Sequence, residues 1–214
     1  MAADDESSVR LVLVRHGETT WSRERRHTGR TDIPLDDEGR RRAELLRPLL
    51  AGIPGIDGAV VCVSPLRRAR DTAALAGLGD GAIVCDDLLE WDYGVYEGRR
   101  TSDIREEIPG WSVWTHPIEG GETMTEVGAR ADRMIAAAVE RGGLTAMFAH
   151  AHVLRILGAR WCGLPPDGGR LFTLEPASLS ILGHEREVRV IEHWDLVPGE
   201  FTSARAEQPL PSSQ

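Results

Sequence analysis

The stretch VRLVLVRHGET, residues 9–19, decides the architecture of this chain. Its apolar, β-branched first half has the length and composition of a buried strand. Arg15 and His16 follow at the point where that strand ends, which is where open α/β sheets bind their ligands. Gly17 lets the backbone turn sharply and approach a ligand closely. The corner therefore predicts an anion site that contains a nucleophile or an acid–base group, although a strand end with two solvated polar residues has the same pattern.

Strands and helices alternate along the chain on either side of this corner. Short apolar runs predict further strands at residues 59–63, 82–85 and 144–149, and a final strand pair at 178–183 and 188–194. Amphipathic periodicity and capping residues predict helices at residues 35–50, 65–75, 124–141 and 152–162. Asp36 or Asp37 is the expected N-cap of the first of these helices, and Ser64 with Pro65 is the expected start of the second.

This alternation predicts an α/β fold: a three-layer sandwich in which a mostly parallel central sheet carries helices on both faces. A length of 214 residues suits a single domain with its own core. We expect that domain at residues 9–202, between mobile tails at residues 1–8 and 203–214. Within it, residues 91–123 are rich in Trp, Gly and Pro and predict an excursion with short helices that shapes a site.

Charge and composition limit the classes of partner. The formal net charge of −9 argues against nucleic acid and anionic membrane surfaces. No apolar run approaches the roughly 18 residues of a membrane helix, and the acidic N-terminus lacks a signal pattern, so a cytoplasmic location is expected. Cys62, Cys85 and Cys162 are widely spaced and odd in number, which predicts reduced core residues rather than a disulfide framework or a metal site.

Four segments place polar residues at or just beyond a predicted strand, and parallel strand ends converge on one edge. They contribute Arg15 with His16, then Arg67, Glu90 and His150. This set suits phosphoryl transfer, because arginines bind phosphate oxygens and an unprotonated histidine can attack phosphorus. Glu90 can protonate the leaving alkoxide and later take a proton from the attacking water. His150 can donate a hydrogen bond to the charge that develops on the transferring group. No metal or other cofactor is required for this chemistry.

Several stretches in family order resemble the histidine phosphatase superfamily, also called phosphoglycerate mutase-like, over about residues 9–195. They are LVRHGET at 13–19 with Val12, TGRTD at 28–32, SPLRRA at 64–69, EWDYG at 90–94, GET at 121–123 and FAH at 148–150. EWDYGVYEG and FAHAHVLR most resemble a branch of bacterial acid phosphatases and fungal sugar-bisphosphatases. The resemblance implies a metal-independent phosphatase that acts on a small phosphorylated metabolite, and homodimers are common in that branch.

The resemblance also implies roles for individual residues. His16 becomes the transient phosphohistidine, and Glu90 is the proton donor. Arg15, Arg67 and His150 complete the phosphate pocket. The implied substrate-binding positions share a place around that pocket: Ser22, Thr28, Gly29, Tyr93, Ala151 and His152. Arg68 and Arg70 are expected on the outer face of their helix.

Three departures from the family pattern bear on the reaction. Ala151 stands where a glycine is usual, which tests whether the backbone there tolerates a Cβ. Thr101 stands where the mutases have a lysine, and their insert with paired arginines has no clear counterpart. Both absences favour hydrolysis over a phosphoglycerate mutase, which is the alternative. A non-catalytic phospho-ligand binding module is a third interpretation. Four histidines without motif support, among them His27, are expected to be structural or exposed.

Overall fold

The computed structural model describes residues 9–199, which contain one six-stranded sheet. Its strands are β1 Arg10–Arg15, β2 Val60–Val63, β3 Ile83–Val84, β4 Leu144–Ala149, β5 Leu179–Glu185 and β6 Val188–Leu196, in the spatial order β3-β2-β4-β1-β5-β6. The first four strands run parallel, and the β5–β6 hairpin adds two antiparallel strands at one edge. The predicted mostly parallel α/β sheet is therefore confirmed.

β1 lies inside the sheet, between β4 and β5. Its four central residues are buried, because helices cover both faces of the sheet at this point. Arg15 pairs in parallel register with Ala149, so the ends of β1 and β4 lie side by side. His16 and His150 directly follow these two ends. The register therefore brings together two histidines that are 134 positions apart in the chain.

Six α-helices occur within the described residues: α1 Thr20–Arg23, α2 Asp37–Ala51, α3 Arg67–Leu75, α4 Thr101–Glu107, α5 Met124–Arg141 and α6 Ala151–Trp161. Successive side chains of a strand point to opposite faces. Val12 and Val14 accordingly pack in one core cluster with α2 and α3, and Leu11 and Leu13 pack in another with α5 and α6. One cluster lies on each face of the sheet, between the sheet and its helices, which gives the three predicted layers.

The start of α3 differs from the prediction. The helix begins at Arg67 rather than at Pro65, and Ser64 makes no N-terminal cap. The Ser64 hydroxyl bonds to His150 instead, at 2.7 Å. The carboxylate of Asp32 accepts from the Arg67 backbone N–H at 2.8 Å and so takes over part of the capping. By contrast, Asp36, one of the two predicted caps, does cap α2, and Thr123 caps α5.

The segment between β3 and α5 is the predicted excursion with short helices. It contains a 3₁₀ turn at Gly94–Tyr96 and the helix α4, and Trp91 and Trp111 anchor it in the core. The three cysteines are free, as predicted, although only Cys62 is fully buried. No helix between residues 9 and 199 is both long and apolar enough to span a bilayer. The predicted tails and residues 200–202 of the predicted domain lie outside the described residues.

Candidate active site

Hydrogen bonds to other segments of the chain hold the corner after β1 in position. His16 donates its backbone N–H to Ala149 and accepts from Ala177 at its carbonyl, both at 3.0 Å. The Gly17 N–H donates to Thr72 Oγ1, also at 3.0 Å. A Cβ on Gly17 would lie 2.4 Å from the carbonyl oxygen of Gly39 at the start of α2. Glycine is therefore required because two backbone segments touch at this corner.

The His16 ring is held in one tautomer. Its Nδ1 lies 2.7 Å from the Gly17 carbonyl oxygen, which can only accept, so Nδ1 carries the proton. Burial lowers the pKa of His16 well below its ordinary value, and Arg68 and Arg15 add to that shift. The ring is therefore neutral near pH 7, with the lone pair on Nε2. His16 lines a cleft at this sheet edge, which suits a nucleophile.

Arg15 lies beside His16 with one donor group unpaired. Its Nη1 donates to the carbonyl of Leu174, but its Nε is buried without a hydrogen-bond partner. Burial lowers the pKa of Arg15, although a guanidinium stays charged at any pH where a protein is folded. A buried N–H without an acceptor is costly in a folded protein. Its place in the cleft wall makes it a donor for an anionic ligand.

The structure corrects the predicted position of the second arginine. The Arg67 side chain is 59 % exposed and pairs with Asp71, and it does not line the cleft. Arg68, expected on the outer face, is completely buried and bonds to the equally buried His150; both lie behind the residues that line the cleft. The physical reason is the packing of α3 against the corner, which turns Arg68 and Thr72, four residues apart, toward His150 and Gly17.

Arg68 connects His150 to the loop after β1. Its Nε donates to His150 Nδ1 at 3.1 Å, and its two terminal nitrogens donate to the carbonyls of Thr28, Gly29 and Thr31. Because His150 Nδ1 accepts, its Nε2 carries the proton and donates to Ser64 Oγ. The His150 ring lies 5.1 Å from the His16 ring, centroid to centroid. Burial, followed by the charge of Arg68, lowers the pKa of His150 well below its ordinary value.

Glu90 lies across the cleft, at the N-terminus of α6. The residue is 3 % exposed, and its Oε1 accepts from the backbone N–H groups of Trp91 and Val153. Oε2 accepts from the His152 backbone N–H at 3.0 Å. A carboxylate suits this end of a helix, where unpaired N–H groups and the helix dipole carry positive charge. Oε2 keeps the lone pair that remains available for a proton.

The buried Tyr93 and the half-buried His152 and His27 form the wall next to Glu90. The Tyr93 hydroxyl and His152 Nδ1 share a hydrogen bond of 2.6 Å, and that nitrogen lies 3.9 Å from Glu90 Oε2. Burial raises the pKa of Tyr93 and lowers the pKa of His152, so both are neutral at pH 7. His27 packs against Tyr93, and burial lowers its pKa to about 4. The sequence predicted a structural or exposed His27, since no motif marks it, but the residue lines the cleft.

The predicted substrate-binding positions divide into two groups. Ser22, Thr28, Tyr93, Ala151 and His152 line the cleft. Gly29 does not, because its N–H donates to Glu97 and its carbonyl accepts from Arg68; substrate binding at Gly29 stays a prediction.

Ala151 is the first residue of α6, and its φ is not positive, so its backbone conformation does not require glycine. The substitution of the usual glycine is therefore compatible with the backbone. The Ser22 hydroxyl is engaged in the cap of α1, and the Thr28 hydroxyl donates to the Arg26 carbonyl.

The cleft has a volume of about 530 Å³, which is in the range of small-molecule sites. Its lining is basic in an acidic protein, with six arginines against three glutamates: Arg15, Arg23, Arg25, Arg26, Arg42 and Arg155, and Glu18, Glu90 and Glu175. Arg155 lines the cleft and lies 4.8 Å over the Trp114 ring. Between residues 9 and 199, no group of His, Cys, Asp or Glu is arranged to hold a metal ion.

Comparisons with known proteins identify the family and the fold of the chain. A family model for the histidine phosphatase superfamily (branch 1) matches residues 11–197. An acid phosphatase from Mycobacterium tuberculosis is 46% identical over 84% of this chain and 89% of its own length. A sedoheptulose 1,7-bisphosphatase from Saccharomyces cerevisiae is 34% identical over 72% of this chain and 68% of its own length.

A solved structure of the product of an open reading frame from M. tuberculosis superposes with a TM-score of 0.83. That protein is 42% identical to this chain, and the superposition covers 89% of this chain and 98% of the other.

Proposed function

The chain belongs to the histidine phosphatase superfamily, and from that premise we propose that it hydrolyses small phosphomonoesters through a phosphohistidine on His16. Relatives with phosphatase activity support the assignment as a phosphoric monoester hydrolase. One observation supports the mechanism most directly. His16 donates from Nδ1 to Gly17, which leaves its Nε2 unprotonated, and Arg15, which lines the same cleft, keeps an unpaired Nε–H.

The first half-reaction transfers the phosphoryl group to the protein. Arg15 binds phosphate oxygens through its free N–H, and His16 Nε2 attacks phosphorus. The ester P–O bond breaks as the N–P bond forms. The leaving alkoxide takes a proton from Glu90, and the alcohol departs. The Gly17 carbonyl stabilises the positive charge that develops on the His16 ring, because it accepts a hydrogen bond from the Nδ1–H group.

The second half-reaction returns the site to its starting state. A water molecule attacks the phosphorus of phospho-His16 while Glu90 accepts its proton. The N–P bond breaks, and inorganic phosphate leaves. We assign the transferred proton to Glu90 Oε2, because Oε1 already accepts two backbone N–H groups. Three backbone donors fix the carboxylate in position through both steps.

Arg68 and His150 complete the phosphate-binding floor in this proposal. Arg68 holds His150 through Nε, and His150 lies against the ring of His16. The predicted donation from His150 to the phosphoryl group requires its Nε2–H to exchange Ser64 for a phosphate oxygen. Arg68 replaces Arg67 in the role that the sequence assigned to the second arginine.

The substrate class is a small phosphorylated metabolite, such as a sugar phosphate. The cleft admits a small molecule, and its basic lining suits an anion. A cytoplasmic location and a homodimer stay predictions. The mutase alternative keeps the same first half-reaction but returns the phosphoryl group to the substrate instead of to water. Incubation with 3-phosphoglycerate separates the two, since hydrolysis releases free phosphate and a mutase forms 2-phosphoglycerate.

The decisive experiment traps the intermediate. The protein is mixed with a phosphomonoester labelled in its phosphoryl group and quenched in alkaline detergent. We expect label on His16 that survives base and is lost in acid. His16→Ala should show neither label nor turnover, whereas His193→Ala, which changes an exposed histidine of β6, should retain both. Full phosphatase activity in His16→Ala would refute the mechanism, and tight phosphate binding without turnover in the unmodified protein would favour a binding module.

A further inference from the structure

The segment that carries Glu90 has no regular secondary structure of its own. It runs between two 3₁₀ turns, Asp86–Leu88 and Gly94–Tyr96. Its backbone groups therefore find no partners in a strand ladder or a helix, although backbone groups shielded from water need partners in a folded protein. The three N–H groups that bind the Glu90 carboxylate hold the end of its side chain. A separate set of bonds must hold the backbone from which that side chain projects.

Arg130 of α5 supplies these bonds on the N-terminal side of Glu90. Its Nη1 donates to the carbonyl oxygens of Asp87 at 2.7 Å and of Leu89 at 2.9 Å. The residue is only 8 % exposed. A guanidinium presents its donors in a rigid planar fork. Nη1 can therefore bind both carbonyls while Nε and Nη2 bind the carboxylate of Glu122.

Glu122 holds the backbone on the C-terminal side of Glu90. Its Oε2 accepts from the Asp92 N–H at 3.0 Å, and its own N–H donates to the Asp92 carbonyl at 3.1 Å. The Glu122 carbonyl also accepts from the indole N–H of Trp91 at 2.8 Å. A second arginine, Arg30, donates to Glu122 Oε2 at 3.0 Å. Glu122 and Arg30 belong to the stretches GET and TGRTD, which carried the family resemblance but received no role from it.

The charge of this pair is better explained by geometry than by stability. Arg130 and Glu122 are both largely buried, with side chains 9 % and 18 % exposed. A buried ion pair adds little net stability over an apolar pair of similar volume, because removing two charges from water is costly. An apolar pair could therefore pack α5 against this segment. Only the charged pair can also make directed hydrogen bonds to the backbone on both sides of Glu90.

We propose that Arg130 and Glu122 are positioning residues that hold Glu90 where it can protonate the leaving group. The inference rests on the proposed function, in which Glu90 is the proton donor. Neither residue lines the cleft, so both act through the backbone of residues 87–92 rather than on the substrate. A displacement of about 1 Å in a reacting group can cost about 10²-fold in rate. Partial loss of these bonds should therefore cost about tenfold in proton transfer.

The test measures how the rate depends on the leaving group. Glycerol 2-phosphate releases an alkoxide that needs a proton, whereas p-nitrophenyl phosphate releases a phenolate that does not. In Arg130→Lys and in Glu122→Gln, kcat/KM for glycerol 2-phosphate should fall about tenfold more than kcat/KM for p-nitrophenyl phosphate. Arg133→Lys is the matched control, because Arg133 lies on the same helix but bonds to the Asp87 carboxylate at the surface. Its ratio of the two kcat/KM values should stay constant.

A combination with Glu90→Gln separates positioning from general destabilisation. Once the proton of Glu90 is absent, Arg130→Lys and Glu122→Gln should shift the ratio no further, because groups that act through one residue are not additive. Equal losses for both esters in the single variants would overturn the inference, as would a further shift in the Glu90→Gln background. If Glu90→Gln itself leaves the ratio unchanged, the proposed proton donor fails and the inference with it. A shifted ratio in Glu90→Gln with unchanged ratios in Arg130→Lys and Glu122→Gln would defeat the positioning role alone.

Discussion

Replacing Arg68 with methionine tests whether Arg68, rather than the adjacent Arg67, is the second arginine of the site. Arg68 makes hydrogen bonds to His150 Nδ1 and to the carbonyls of Thr28, Gly29 and Thr31. Arg68→Met keeps most of the volume but leaves these buried acceptors without a donor. Breaking a buried charged network of this kind costs about 3–5 kcal/mol in the free energy of unfolding. That is a large fraction of the roughly 5–15 kcal/mol of a typical domain.

The effect on catalysis should be large as well. Loss of Arg68 releases His150 and removes charge from the floor of the phosphate site, so we expect kcat/KM to fall about 10²- to 10³-fold. Urea unfolding measures the stability, and hydrolysis of p-nitrophenyl phosphate measures the activity. Arg68→Lys keeps the charge but not the planar fork of the guanidinium. Its stability and activity should therefore lie between those of Arg68→Met and the unmodified protein. It serves as the readout if Arg68→Met does not fold.

Arg67→Met is the matched control on the adjacent position. Its side chain is exposed and pairs only with Asp71, one turn along α3, so its loss should change stability by about 1 kcal/mol or less. The backbone N–H that Asp32 caps is retained in this variant. Activity should stay at the unmodified level. Equal losses in the two variants, or a larger loss in Arg67→Met, would refute the reasoning.

Three further changes test the corner, the buried histidines and the proton donor. Gly17→Ala should lower the free energy of unfolding by about 1–3 kcal/mol in urea titrations, because its Cβ meets the Gly39 carbonyl oxygen at 2.4 Å; Gly58→Ala, with open space around the new Cβ, should cost far less. The pKa of His27 is lowered to about 4 in the folded protein, so below pH 6.5 the unfolded chain binds the extra proton and stability falls as pH falls. His27→Gln should therefore reduce the slope of unfolding free energy against pH by up to about 1.4 kcal/mol per unit between pH 6 and pH 5, and an unchanged slope would show that His27 titrates normally. Glu90→Gln should slow hydrolysis of a sugar phosphate by about 10²- to 10⁴-fold but affect p-nitrophenyl phosphate much less, since p-nitrophenolate leaves without a proton; equal losses would argue against proton donation.

Much of the architecture was predictable because it depends on local chemistry. β-branched apolar runs and helical periodicity indicated the strands and the long helices, and the capping residues Asp36 and Thr123 marked two helix starts. The corner at residues 15–17 was identifiable as the site because polar residues follow a buried strand there. The start of α3 was not predictable, since the Ser64 hydroxyl is recruited by His150, a residue far along the chain.

The site was less predictable, because adjacent residues on a helix are 100° apart and sequence alone does not orient that helix. Arg67 and Arg68 have the same side chain, but only packing of α3 against the corner buries one and exposes the other. Gly29 carries a motif signal, and its backbone bonds to Glu97 and Arg68 rather than lining the cleft. His27 carries no signal at all and is nevertheless part of the wall.

The sequence by itself therefore determined the order of the elements, the family and the chemical groups of the site, because these depend on patterns within short segments. Only the tertiary structure decided which nitrogen of His16 carries the proton, which arginine is buried against His150, and how Glu90 is held by the start of α6. It also revealed the positive φ of Arg25, which lines the cleft. Hydrogen bonds between distant segments set these features, and no local pattern encodes which partner a buried donor will meet.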